Sequence, residues 1–191
     1  MIVERRLRCR RRVACVAALV AAMIGAVPRP ARAIAADAPD IAVKAAFLYN
    51  FAKFAEWPAL PPAAPIVVCI IGDEGIAAAF AETVRGQNIS GHALEVSRSR
   101  DGATWRGCHL LFVADRESKQ FTTAKSSIKG QPVLTVSDGK GFTQAGGVIE
   151  LFIEDGRMRF AINLDAMEQT GVRLSSRLLG LAKVVRNPHD Q

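Results

Sequence analysis

The sequence predicts an α/β fold: a single three-layer domain with a mixed, mostly parallel sheet, helices on both faces and a β-hairpin in the C-terminal half. Two almost wholly apolar runs, Ile66 to Ile71 (IVVCII) and His109 to Ala114 (HLLFVA), have strand length and no alternation, as strands buried on both faces do. Stretches of helical periodicity fall between such runs in the order β-α-β-β-α-β, which argues for layering around a parallel sheet. Val148 to Ile162 alternates around Asp155-Gly156, the mark of a hairpin with a two-residue turn.

The domain opens at Val43 to Pro58 (VKAAFLYNFAKFAEWP), where Val43, Phe47, Leu48, Phe51, Phe54 and Ala55 recur at helical spacing. This helix should stop near Glu56, because the residue before Pro58 is pushed out of the α region. Pro58, Pro61, Pro62 and Pro65 form a stiff connector into the first strand. A helix follows over Gly75 to Arg85, with Ile76, Phe80 and Val84 inward, and Gly86 ends it. Ala93 to Ser97 alternates and reads as a marginal strand, Ser118 to Ile128 as a weak helix, and Val133 to Val136 as another short strand. In the hairpin, Glu154 faces Arg157. Ile149, Leu151, Ile153, Met158, Phe160 and Ile162 then share the core side, opposite Glu150, Phe152, Glu154, Arg157, Arg159 and Ala161. Asp165 to Glu168 has capping-box spacing before a helix stopped at Gly171, and Ser175 can cap a last helix running to Val185. Residues 187–191 should fray.

Residues 1–33 have the pattern of a signal peptide: a basic start, an apolar run from Val13 to Val27, and cleavage after Ala33 in Ala31-Arg32-Ala33. A membrane anchor is the rival, but spanning takes about 20 apolar residues and this run is shorter. Residues 34–42 read as a flexible start of the mature chain, and 43–186 as its domain. The formal charge of +7 is misleading. Eight of the 25 basic and one of the 18 acidic residues lie in the leader, which leaves seventeen of each. No basic excess survives to mark a nucleic-acid partner. Export to the periplasm also leaves Cys69 and Cys108 as the only cysteine pair, in a compartment where disulfides persist. Joined, they close a loop of about 40 residues, worth on the order of 4 kcal/mol by chain entropy. Two buried free thiols are the alternative.

No group of residues reads as catalytic, and no cofactor is implied. Asp138-Gly-Lys-Gly141 lacks both the spacing of a nucleotide loop and a following helix, so a mobile surface loop running to Gly147 is expected. His92, His109 and His189 lack ligand spacing, and there is no nucleophile elbow. Glu150 and Glu154 face Arg157 and Arg159 across the hairpin and read as a structural ion-pair face. Three residues stand out as candidate contacts with a partner or ligand. Lys44 sits on an apolar arc and must either snorkel to water or meet a carboxylate. Trp57 and Arg173 are of the types favoured at interfaces, against the plainer options of a core plug and a solvated arginine.

The runs KAAFLYNFAKFAEWP (44–58), PVLTVSD (132–138) and GGVIELFIEDGRMRFAINLDAMEQTGVRLSSRLLGLAKVV (146–185) resemble the YfiR (HmsC-like) family of periplasmic regulators over nearly the whole mature chain. The resemblance implies a non-enzymatic α/β domain, a homodimer, that represses a membrane-anchored diguanylate cyclase by binding its periplasmic part. It also implies sequestration by an OmpA-like outer-membrane lipoprotein, and control of cyclic-di-GMP and biofilm formation. By position, Cys69 and Cys108 match the family's stabilising disulfide. A second bridge found in some members would join the Asp138 loop to the hairpin, where this chain has no cysteine. The rival reading is a periplasmic module that senses a small ligand on behalf of another membrane protein.

Overall fold

The computed structural model describes residues 38–58, 60–98 and 102–186. The expected leader, its cleavage point and the 187–191 tail lie outside the described residues. Helices α1 (Ala38–Lys53), α2 (Glu74–Val84), α3 (Ser118–Ala124), α4 (Leu164–Thr170) and α5 (Ser176–Leu179) accompany ten strands. These are β1 (Ala55–Glu56), β2 (Ile66–Ile71), β3 (Asn88–Ile89), β4 (His92–Ser97), β5 (Leu110–Val113), β6 (Leu134–Ser137), β7 (Ile149–Glu154), β8 (Arg157–Asn163), β9 (Arg173–Leu174) and β10 (Lys183–Val185).

Eight strands form one sheet in the order β10-β8-β7-β6-β5-β2-β4-β3, and β1 and β9 make a separate two-stranded ribbon. Parallel pairing runs unbroken from β4 through β2, β5 and β6 to β7. The hairpin partner β8 is antiparallel to β7, and β10 returns parallel to β8.

Strand parity explains the two cores. Ile66, Val68, Ile70, Leu110, Phe112, Leu134 and Val136 point to the face covered by α1 and α2, where Phe51, Ile76 and Phe80 are fully buried. Cys69, Ile71, Leu111 and Val113 point to the other, where Trp105, Phe121, Ile128 and Phe142 close over them. This second layer is built from 3₁₀ turns at Gly102–Gly107 and Lys125–Ile128 with α3 between them in sequence. The three-layer α/β architecture is therefore as the residue pattern predicts, and the disulfide Cys69–Cys108 joins neighbouring parallel strands inside the second core.

Several boundaries differ from expectation. The first helix begins at Ala38, within the stretch read as flexible, and its buried stripe is Ala45, Leu48, Phe51 and Ala52, with Ile41 partly buried ahead of it and Val43 exposed. It ends at Lys53, ahead of Glu56, because Ala55 and Glu56 pair with Leu174 and Arg173 and Ser175 N donates to Phe54 O. Helix α4 is capped by Asn163 rather than opened at Asp165: Asn163 Oδ1 accepts from Ala166 N at 3.0 Å. The margin of the sheet is β3, so β4 is second from the edge.

The last helix is the largest departure. Ser175 does cap it, but α5 has only four residues, and Lys183–Val185 continues as an edge strand beside β8. Gly180 interrupts the helix, and the β-branched Val184 and Val185 suit a strand. The hairpin, by contrast, has the expected register, with Glu154 opposite Arg157 and positive φ of 51° and 69° at Asp155 and Gly156.

Replacing both Cys69 and Cys108 by alanine should lower unfolding stability by about 2–4 kcal/mol without changing the fold. Chemical denaturation of the exported protein, oxidised against variant, checks this. Equal midpoints would show that the bridge contributes nothing.

Candidate functional site

Polar side chains gather at the two ends of the parallel strands, and the three candidate contact residues divide between them. At the carboxyl ends, Lys44 on α1 reaches Asp138 just past β6. Its Nζ lies 2.8 Å from Asp138 Oδ2 and 2.6 Å from Asp40 Oδ2 one helical turn back. Only 15% of the lysine side chain and 19% of the Asp138 side chain are exposed. Burial alone would lower the lysine pKa. The bonds to Asp138 and Asp40 outweigh it and hold the ammonium above its ordinary value. The other oxygen of Asp138 accepts from Asp115 N at 2.8 Å, just beyond β5. One carboxylate thus ties α1 to the loops following two central strands. Of the two options open to Lys44, the structure takes the carboxylate.

The segment from Asp138 to Gly147 is a held loop, not the free surface loop expected of its glycines. Glu150 of β7 accepts from Gly141 N (3.2 Å), Thr143 N (3.1 Å) and Thr143 Oγ (3.0 Å). Asn163 Nδ2 donates to Thr143 O at 2.8 Å, and Phe142 and Thr143 are buried. Gly147 is required here, since a Cβ would stand 2.1 Å from the Phe142 ring. The expected Glu150–arginine pairing on the hairpin is thereby replaced: this carboxylate satisfies loop amides that would otherwise lack partners.

At the amino ends, Trp57 is a core residue. Its Nε1 donates to His109 O at 3.0 Å, and its ring meets the imidazole edge to face, centroids 5.8 Å apart. His109 Nδ1 in turn accepts from Val67 N at 3.0 Å, so that nitrogen carries no proton. Burial, with neighbouring His92 a lesser cause, pushes the imidazole below its ordinary value. Arg173 is exposed on the adjoining β1–β9 ribbon, directly opposite Glu56. The structure therefore brings Trp57 and Arg173 to one end and places Lys44 at the other. Of the three, Arg173 alone presents its side chain to solvent.

Asp138 and His109 carry much of this organisation, a role that sequence reasoning missed, having met them only as a dismissed nucleotide loop and a dismissed metal ligand. The one signal for Asp138 was an ammonium on an apolar arc that needed an acid. His109 gave none, because a half-buried histidine heading a strand resembles any other apolar-run boundary. Among the described residues, no group of three or more His, Cys, Asp and Glu side chains could hold a metal ion, and no helix is long and apolar enough to cross a membrane.

The fold and this distribution of polar groups define a disulfide-containing α/β module. Residues 41–183 match the YfiR/HmsC-like family model, and the chain belongs to that family. The chain also resembles a conserved domain protein of known crystal structure from Vibrio cholerae O1 biovar El Tor, at 9% identity and a TM-score of 0.44. That alignment covers 75% of this chain and 59% of the other.

Two outcomes follow from the geometry. Asp138→Asn should cost about 1–3 kcal/mol by weakening a charge-assisted pair, and less in a Lys44→Met background, where the cation is gone. Equal costs in both backgrounds, read by urea denaturation, would show the pair to be uncoupled. For His109, the unfolded imidazole takes up a proton near pH 6.5 while the native one resists. Stability should therefore fall as pH drops from about 7 toward 5, and His109→Gln, which can still accept the Val67 amide, should flatten that slope.

Proposed function

We propose that the protein is a non-enzymatic regulator that works in the periplasm after removal of residues 1–33. It represses a membrane-anchored diguanylate cyclase by gripping the cyclase's periplasmic part, and so holds down cyclic-di-GMP and biofilm formation. The observation that carries the reading is family membership across residues 41–183. A disulfide buried between neighbouring strands suits an oxidising compartment, which supports export. A homodimer as the working form, and an OmpA-like outer-membrane lipoprotein as the partner that sequesters it, belong to the same proposal.

Lys44 and Trp57 are engaged inside the domain, so the contact with a partner falls to exposed Arg173, with Trp57 holding the ribbon beneath it. Deleting the gene should raise cyclic-di-GMP and surface adhesion. Unchanged levels under inducing conditions would overturn the reading. Arg173→Ala should weaken recovery of the cyclase in an envelope pull-down about tenfold or more while leaving thermal stability nearly unaltered.

The second reading, a module that senses a small ligand and acts on another membrane protein, is favoured by one feature. A cavity of about 420 Å³ opens on the domain between the 3₁₀ turn at Lys125–Ile128 and α4. Its size falls within the range of small-molecule sites, roughly 300–1,000 Å³.

A further inference from the structure

The cavity has a definite chemical polarity. Phe121, Ile128, Val133 and Val148 line it with buried apolar surface contributed by α3, the following 3₁₀ turn and the strands beneath. Thr135, which also lines it, accepts from Val148 N at 3.0 Å through its hydroxyl oxygen, and the O–H itself can still donate. The charged residues on its wall are Lys125 and Lys129, and no carboxylate lines it.

Lys125 is anchored. Its Nζ donates to Ala145 O at 2.7 Å and lies against Gly146, where a Cβ would stand 2.0 Å from it. An ammonium has three donors, so two remain for a ligand. Among the described residues neither lysine has an ion-pair partner. Thr122, Ser126 and Gln169 add hydrogen-bonding capacity around the same wall.

An apolar chamber whose wall carries two cations and no acid selects for one kind of molecule. A cationic ligand would face like charges. A neutral apolar ligand would fill the chamber but gain nothing from Lys125 and Lys129, which are exposed at its edge. A polyanion without an apolar body would leave the chamber unfilled. We propose that this cavity binds a small amphipathic carboxylate, its apolar body against Phe121, Ile128, Val133 and Val148 and its anionic head between Lys125 and Lys129. The site deepens the sensing reading by naming its ligand class, and it does not rest on cyclase repression. Binding measured on the isolated protein succeeds or fails independently of cyclic-di-GMP output.

The test is calorimetric titration of the purified, oxidised protein with 3-phenylpropionate and octanoate, alongside their neutral amides and octylammonium. Both carboxylates should saturate at millimolar concentration or below, at least about tenfold tighter than the amides, with affinity falling as salt is raised. Lys125→Met combined with Lys129→Met should abolish the preference for acid over amide while preserving the circular dichroism spectrum. Gly146→Ala, which displaces the Lys125 ammonium, should weaken the acids on its own. Ala166→Leu, which narrows the chamber from the α4 side, should weaken acids and amides alike. Equal binding of acid and amide, a preference for octylammonium, an acid preference that survives loss of both lysines, or no saturation by either carboxylate would each overturn the assignment.

Discussion

The central strands have no exposed face, and the rest of the structure answers that constraint. All four residues of β5 are buried, as are all four of β6 and five of the six in β2. A sheet of this kind is stable only when both sides are covered, which is why α1 and α2 are matched by a second layer over Cys69, Leu111 and Val113. That second layer is made of short pieces, 3₁₀ turns and a seven-residue helix, which carry little cooperativity of their own. The disulfide sits inside it, so the covalent link lies where the layer is least able to hold itself together.

Elements whose identity is local were legible from the chain. The hairpin register followed from alternation plus Asp155-Gly156, and the buried strands from uninterrupted β-branched runs. What escaped was decided by partners distant in sequence. The end of α1 depends on Arg173 and Leu174, more than a hundred residues on, which draw Ala55 and Glu56 into a ribbon. The segment after Gly180 has enough leucine and alanine to look helical, yet the vacant edge of β8 offers Val184 and Val185 backbone partners that a helix in that place would forgo. The loop at Asp138 looked free because the groups that hold it, Lys44, Asp115, Glu150 and Asn163, come from four different elements. Of the candidate site, the cysteine pair and the unease of Lys44 could be read in the residues. The lysine-rimmed cavity could not, because Lys125 and Lys129 look like ordinary surface charges until α4 is packed beside them.

The two ends of the sheet differ in the kind of bond that holds them. At the carboxyl ends, charge holds elements together: one aspartate answers a lysine and a backbone amide on separate segments. At the amino ends the bonds are between neutral groups, indole to carbonyl and amide to imidazole, and they pass through a residue whose protonation would remove an acceptor. A pair as buried as Lys44–Asp138 is screened little by salt, whereas mild acid acts on the histidine, so the amino end is the one that answers to falling pH although a four-residue strand separates the two.

Glu150 reaches from the hairpin to the loop that follows Asp138, and so bridges two segments of the chain without a covalent link. A carboxylate receiving two amides and a hydroxyl does the mechanical work of a disulfide without a sulfur atom. It cannot be opened by a thiol or locked by an oxidant. In this chain the junction is blind to redox state, and the only part of the described fold that a reductant can act on covalently is the buried link between β2 and the head of β5.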